Sequence, residues 1–407
     1  MRRQVVQLAA DQAASSLVTF ALSVYAAREA SVDDFGVFAV AYALFWALLG
    51  VTRSYISEVN LITGTEDLER TGNWRSFSAT ASLAAGLFSA IVLFVGCLVI
   101  GSADATAIGV SFALAAPLAI LADALRYVAF TDDAPGDALV LDAVWLAGAL
   151  LAPPAIAAIG VHAVPSAILG WGVGAALGIG VALIRRGHLR PRFAGTLKWI
   201  AERRVVGSQY AGDFLANNGM GQAVTALVPL VSSLAVAGAL RAGGILQGPL
   251  NVVFSAMIVF LIPRVRKSIS TPRLLPHPAP LALVALGILC ALYATAILLV
   301  PDSVGEFLLG PSWYSGRLVA PLLIAAYFLQ GVVLVMVQVM RLRNSAGLVV
   351  RVRVSVAVLL SIAILTGAAA FGAVGAASAF TLAALVSLIP WWYALVHSYR
   401  KSDPGNA

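Results

Sequence analysis

The sequence predicts an all-α polytopic membrane protein of about twelve transmembrane helices, a number set by the bilayer-crossing length, in two six-helix lobes. Three observations lead there. Hydrophobic residues make up 60% of the 407-residue chain and charged residues only 11%, and mean hydropathy is +0.93, a composition that belongs to membrane proteins. The apolar residues gather into runs of about 20, enough to cross a bilayer. The second half of the chain also repeats landmarks of the first.

The runs centre near residues 17, 48, 89, 118, 148, 174, 220, 252, 290, 329, 359 and 385. The last two abut at Ala370-Phe371-Gly372, and the first and seventh are the least hydrophobic. The opening "MRRQVVQLAADQ" does not read as a cleavable signal, because Asp11 and Gln12 interrupt the stretch where an apolar core belongs. Asp33 and Asp34, followed by "FGVF", read as a loop and a helix start. Cys97 and Cys290 lie inside apolar runs, so neither a disulfide nor a metal site is expected.

Lys and Arg placement orients the chain. On alternate loops from the N-terminus, 21 of the 26 basic residues fall on one side; the other five are Arg28, Arg53, Arg126, Arg241 and Arg317. The net charge of +7 is therefore topology, with both termini cytoplasmic, and not a nucleic-acid surface. Arg outnumbers Lys 23 to 3 beside abundant Ala, Val and Gly, a composition common in bacteria with GC-rich genomes. The basic stretch "RRGHLRPRFAGTLKWIAERR" divides an N-terminal lobe, 1–184, from a C-terminal lobe, 206–407, with 185–205 as linker. Phe193, Leu197 and Ile200 share a helical face there, so the linker is either a short helix on the anionic inner leaflet or a solvated basic loop.

Asp11 precedes Gly36 by 25 residues, as Asp213 precedes Gly238, and "IGVHAVPSAI" aligns with "FGAVGAASAF" through Gly160/Gly372 and Ser166/Ser378. Six spans per half make this a parallel repeat about an axis along the membrane normal.

Polar residues within spans are the candidate site, because an unpaired polar group in hydrocarbon is costly. In "GALRAGGILQGPLNVVF" and the serine that follows it, Gly244, Gly248, Asn251 and Ser255 share one face with Gln247 beside them. That face reads as a cavity wall with a hinge at Gly248-Pro249, or as small residues allowing close helix packing. Gln209, Asp213 and Asn217 line the seventh span, and Asp11, Gln12, Ser15, Ser16 and Thr19 the first. Intramembrane acids are functional candidates by default, although Asp11 begins near the cytoplasm and could snorkel. Asp123, Arg126, Asp142, Arg53 and Glu58 all fall in cytoplasmic halves. Arg126 and Asp142 face each other across a short turn and are expected to form a structural ion pair. Arg53 has no acid at i±3 or i±4 and is the best phosphate-binding candidate, since a guanidinium fork matches phosphate oxygens; pairing with a distant acid or snorkelling is the bland alternative.

No GxxxxGK[ST] occurs, so no nucleotide hydrolysis is expected. His162, His188, His277 and His397 are scattered, with no metal or catalytic spacing. No cofactor is expected, and the chain does not read as an enzyme.

The stretches "YAAREASVDDFGVFAVAYAL", "VAGALRAGGILQGPLNVV" and "GAVGAASAFTLAALV" resemble the polysaccharide-exporter branch of the multidrug/oligosaccharidyl-lipid/polysaccharide (MOP) transporter superfamily, the O-antigen and teichoic-acid flippase-like proteins. The resemblance covers most of the chain through loose helical patterns. It implies a V-shaped two-lobe bundle with spans one, two, seven and eight lining the cavity. It also implies a bacterial inner-membrane location, a lipid-linked glycan of polyprenyl-phosphate type as cargo, membrane lipids as partners, and a functional link to glycosyltransferases. Only Arg53 and Arg241 offer positive charge on those spans. Lipid-II flippase relatives have more spans than this chain can hold, which makes the peptidoglycan precursor a poor first guess. A cation-coupled multidrug efflux pump is the alternative, with Asp11 and Asp213 suited to ion binding. A membrane glycan polymerase or glycosyltransferase fits less well, because the predicted outer loops leave no room for an acceptor-binding domain.

Overall fold

The computed structural model describes residues 2–63, 68–69, 72–186, 192–251, 253, 254, 257, 261, 265, 274, 275, 279–343 and 345–402. Its regular elements among these residues are helical. In chain order they are α1 (Arg2–Glu29), α2 (Val32–Thr63), α3 (Trp74–Ile100), α4 (Ala103–Thr131), α5 (Pro135–Ala158), α6 (Ala163–Arg186) and α7 (Thr196–Glu202). There follow α8 (Arg204–Phe214), α9 (Met220–Val231), α10 (Leu234–Gln247), α11 (Ala279–Leu299), α12 (Asp302–Leu309), α13 (Trp313–Leu342) and α14 (Ala346–Ser402). Eight helical stretches among the described residues are long and apolar enough to cross a membrane. The polar first run fails that measure although α1 is 28 residues long.

Helix starts follow side-chain chemistry. Ser31 caps α2, its Oγ accepting from the Asp34 N–H at 3.2 Å, so Asp33 and Asp34 lie in the first helical turn. Ser102 caps α4 the same way, with Ala105 N 3.1 Å away. α14 carries two of the predicted spans, interrupted by non-helical Phe371 and Gly372. Gly372 has φ +62°, and its repeat counterpart Gly160, between α5 and α6, has φ +91°. Both turns need a left-handed residue, which explains why glycine stands at each.

By packing, the chain divides into two units, Met1–Ala226 and Leu227–Ala407. The boundary falls beyond the basic linker because α8 packs against α2. In the first unit α5 lies against α6, α3 against α4, α4 against α6, and α1 against α5. Small residues make this possible: a Cβ on Gly148 would stand 2.4 Å from the Gly174 Cα across the α5–α6 contact. Phe35, Phe38, Phe45, Phe112 and Trp171 are fully buried; the four phenylalanines stack through the unit's centre with Trp171 edge-on to Phe45, and Trp145 Nε1 donates to the Trp171 carbonyl at 2.9 Å.

The linker contains α7, whose Trp199 is buried against Ile56 and Ala81 with Tyr55 and Phe77 alongside. Phe193 and Leu197 point outward, while Ile200 packs toward that cluster. In the second unit α13 packs on α14, α10 and α11. Its core joins Val335, Met336, Val339 and Met340 to Trp391 and Leu395.

Candidate functional site

The charged residues of α1, α2, α4 and α5 converge in the first unit. α2 is regular to Thr52 and then passes through a π-turn, Arg53–Glu58. A π-turn accommodates an extra residue and so redirects the side chains that follow it. Arg53 reaches α4, donating from Nε to Asp123 Oδ2 at 2.9 Å and from Nη2 to Asp123 Oδ1 at 2.8 Å. This is the two-pronged geometry a guanidinium offers to any planar pair of anionic oxygens. The Arg53 side chain keeps 22% of its surface exposed, against 8% for Asp123. The rings of Trp46 and Tyr127 lie 5.7 and 5.6 Å from its guanidinium carbon.

One turn along α4, Arg126 serves the other acids. Its Nη2 and Nε donate to Asp11 Oδ2 at 2.7 and 2.9 Å, and Nη2 also reaches Gln12 Oε1 at 3.3 Å. The same Nε lies 3.1 Å from Asp142 Oδ2. That distance makes an ion pair, yet neither Asp142 oxygen accepts an aligned hydrogen bond from a described residue. Asp11 is therefore the better-bonded partner and Asp142 the flanking one. Two carboxylate oxygens within about 3 Å of one nitrogen, a hydrogen-bonding distance, also crowd each other. Arg126 Nη1 is 3.9 Å from Asp123 Oδ1, which joins the two arginines through one acid. Asp11 and Asp142 are wholly buried, and Asp11 Oδ1 has no hydrogen-bond partner among the described residues.

Three buried carboxylates thus share two guanidiniums. The apolar surroundings make each such pairing strong and each unpaired charge costly.

Arg53, which has no acid within a helical turn, takes the distant-acid alternative: its partner Asp123 lies 70 positions away, a separation that helical spacing cannot reveal. Asp11 does not snorkel, the alternative left open for it, because Arg126 holds the carboxylate inside the bundle. The repeat does not carry over to the acids' surroundings: Asp213, the counterpart of Asp11, is exposed near the end of α8. Beside it, the Phe214 ring sits over Gly50 of α2, so closely that a Cβ at Gly50 would lie 1.8 Å from the ring. A second π-turn, Leu215–Gly219, follows. Asn217 falls within it, and its side chain lies outside the described residues.

In the second unit α10 ends at Gln247, which is half-buried, and Gly248-Pro249 form a turn. The bonds there run three residues back, Gly248 N to Ile245 O and Asn251 N to Gly248 O, both 3.0 Å. Pro249 has no N–H to continue the ladder. The Tyr327 hydroxyl donates to Asn251. The close-packing glycine of α10 is Gly243, where a Cβ would lie 2.6 Å from Val319, whereas no described atom stands within 4 Å of one on Gly244. Ser255 and the basic residues 264–273 lie outside the described residues. Arg241 is half-buried.

One charged network escaped the sequence reading. At the ends of α3, α4, α5 and α6, Arg75 grips Asp132 at 2.6 Å, and Arg186 bridges Asp132 and Asp137 at 2.5 and 3.0 Å. The sequence signal for it is the clustering of these charges at span ends.

No family model and no curated protein matches this sequence. Solved structures do. An inward-facing multidrug resistance MATE family transporter of the MOP superfamily matches with TM-score 0.69 and 11% identity, over 99% of this chain and 100% of that one. Lipid II flippase MurJ in an inward closed conformation matches at 0.70 and 11%, over 98% and 90%. The MATE multidrug transporter DinF-BH matches at 0.60 and 15%, over 98% and 95%. At such identities the likeness is one of fold, and the fold is that of MOP-superfamily membrane transporters.

Proposed function

We propose that this chain flips a lipid-linked oligosaccharide or polysaccharide precursor across the bacterial cytoplasmic membrane by alternating access. The observation that carries the reading is Arg53, a partly exposed guanidinium already displaying two oxygens in the geometry a phosphate would occupy. A polyprenyl phosphate or pyrophosphate competes with Asp123 for that fork, while the tail stays in the bilayer and the sugars in water. The flippase-like stretches of the sequence and the fold shared with a lipid II flippase support the same cargo class. The cargo requires glycosyltransferases upstream and membrane lipids around the chain; the positive-inside bias supports cytoplasmic termini.

The test is depletion. Loss of the protein should accumulate lipid-linked glycan on the cytoplasmic leaflet. Hydrogen bonds to charged groups contribute about 1.5–3 kcal/mol each, so Arg53→Ala should weaken apparent cargo affinity about tenfold or more, with partial recovery in Arg53→Lys. Accumulation fully relieved by Arg53→Ala removes this residue's role.

A second reading, a cation-coupled multidrug efflux pump, draws on a different observation: Asp11 is enclosed beside Asp142 with one guanidinium between them. If depletion leaves lipid-linked glycan unchanged and raises sensitivity to cationic dyes, the pump replaces the flippase.

A further inference from the structure

Arg53 and Arg126 are not separate ion pairs. Asp123 holds Arg53 through both oxygens and lies 3.9 Å from Arg126, which in turn holds Asp11 and approaches Asp142. A continuous line of charge therefore runs from a partly exposed guanidinium to a wholly buried carboxylate. Resting on the lipid-phosphate reading above, we infer that Asp123 and Arg126 form a relay that converts phosphate binding at Arg53 into proton uptake at Asp11.

The steps follow from what each group loses. A phosphate taking the Arg53 fork leaves the Asp123 carboxylate buried without a counter-ion. The nearest replacement is Arg126, and shortening the 3.9 Å gap costs a small side-chain shift within one turn of α4. Moving toward Asp123 withdraws Arg126 from Asp11, whose carboxylate has no other hydrogen bond among the described residues. Asp142 brings no positive charge, so a carboxyl pair this close holds an added proton between its two members, and Gln12 reaches only Arg126. A buried carboxylate stripped of donor and counter-ion binds a proton. One proton passes from water to an Asp11 oxygen, and no other bond is made or broken. Both guanidiniums keep their charge throughout, so the proton has no alternative site among them. Glu58, on the π-turn with Arg53 and partly exposed, acts electrostatically on Arg53, and Tyr127 does so from α4; neither touches Asp11.

Linkage gives the sign. Binding that takes up one proton strengthens as pH falls, by about tenfold per unit. The probe is farnesyl phosphate, a short polyprenyl phosphate, added to the full chain in phosphatidylcholine nanodiscs. Calorimetry in buffers of differing ionisation enthalpy counts the protons taken up, and the lipid's own phosphate contributes equally to the wild type and Asp11→Asn, which keep the same groups beside it. The wild type should take up one proton beyond that shared contribution. Asp123→Asn should bind tenfold or more tightly, because Arg53 is no longer occupied, and take up none in excess. Asp11→Asn, nearly isosteric, should also lose the excess, and it reads the relay if Asp123→Asn does not fold. Equal excess uptake in all three proteins overturns the relay, as does wild-type binding with no excess, and in both cases the cargo reading stands. No binding by any of the three overturns the cargo reading and the relay with it.

Discussion

Arg126 is the residue on which the first unit's buried charge depends. Replacing it with Ala strands Asp11 and Asp142 in an apolar interior, and breaking a buried pair in this way costs about 3–5 kcal/mol. Arg126→Ala should lower the thermal midpoint measured by fluorescence-detected gel filtration, and adding Asp11→Asn should recover part of the loss. An unchanged midpoint in the single variant would mean the cluster is wetter than its burial implies. These residues were visible in the sequence as intramembrane charges, but their partners were not. Spacing along a helix identifies which residues share a face, whereas the acid that meets Arg53 is chosen by how α2 packs on α4. The Arg126–Asp142 approach could be anticipated because one short turn joins the two helices, while the stronger Asp11 bond spans 115 positions.

Helices themselves were legible wherever apolar runs and breakers coincided. Gly372 and the α2 cap at Ser31 stand where the sequence placed a turn and a helix start. The first π-turn left no such trace, since "RSYISE" contains neither Gly nor Pro and its register is set by the contacts of Arg53 and by Tyr55 packing against Gly207. Gly248-Pro249 is the opposite case, a break dictated by a missing N–H. Replacing the pair with Ala and Leu restores a donor and should straighten the chain after α10. The variant should insert and express normally yet transport several-fold more slowly; wild-type rates in a correctly inserted protein would reduce the turn to a local detail.

For the molecule as a whole, composition was enough to predict helices, because these are set by the solvent and not by partners, and the positive-inside bias gives an orientation that reporter fusions test. Reporter fusions at residue 195 should be cytoplasmic, and fusions near 104 and 305 external; an external reporter at 195 inverts the orientation and every depth argument with it. The repeat was readable through Gly160 and Gly372 but did not extend to the surroundings of the two acids: Asp11 is enclosed and Asp213 is exposed.

The shortness of the steps between the buried charges bears on how the membrane voltage acts. Each is between 2.7 and 3.9 Å, about a tenth of the ~30 Å hydrocarbon core. One elementary charge crossing the whole membrane feels about 2.3 kcal/mol per 100 mV, so a single guanidinium shift couples to only about a tenth of that. The exchange of partners between the guanidiniums is thereby nearly insensitive to potential; in the proposed relay only the proton's path from water to Asp11 and the cargo's own charge remain to feel it.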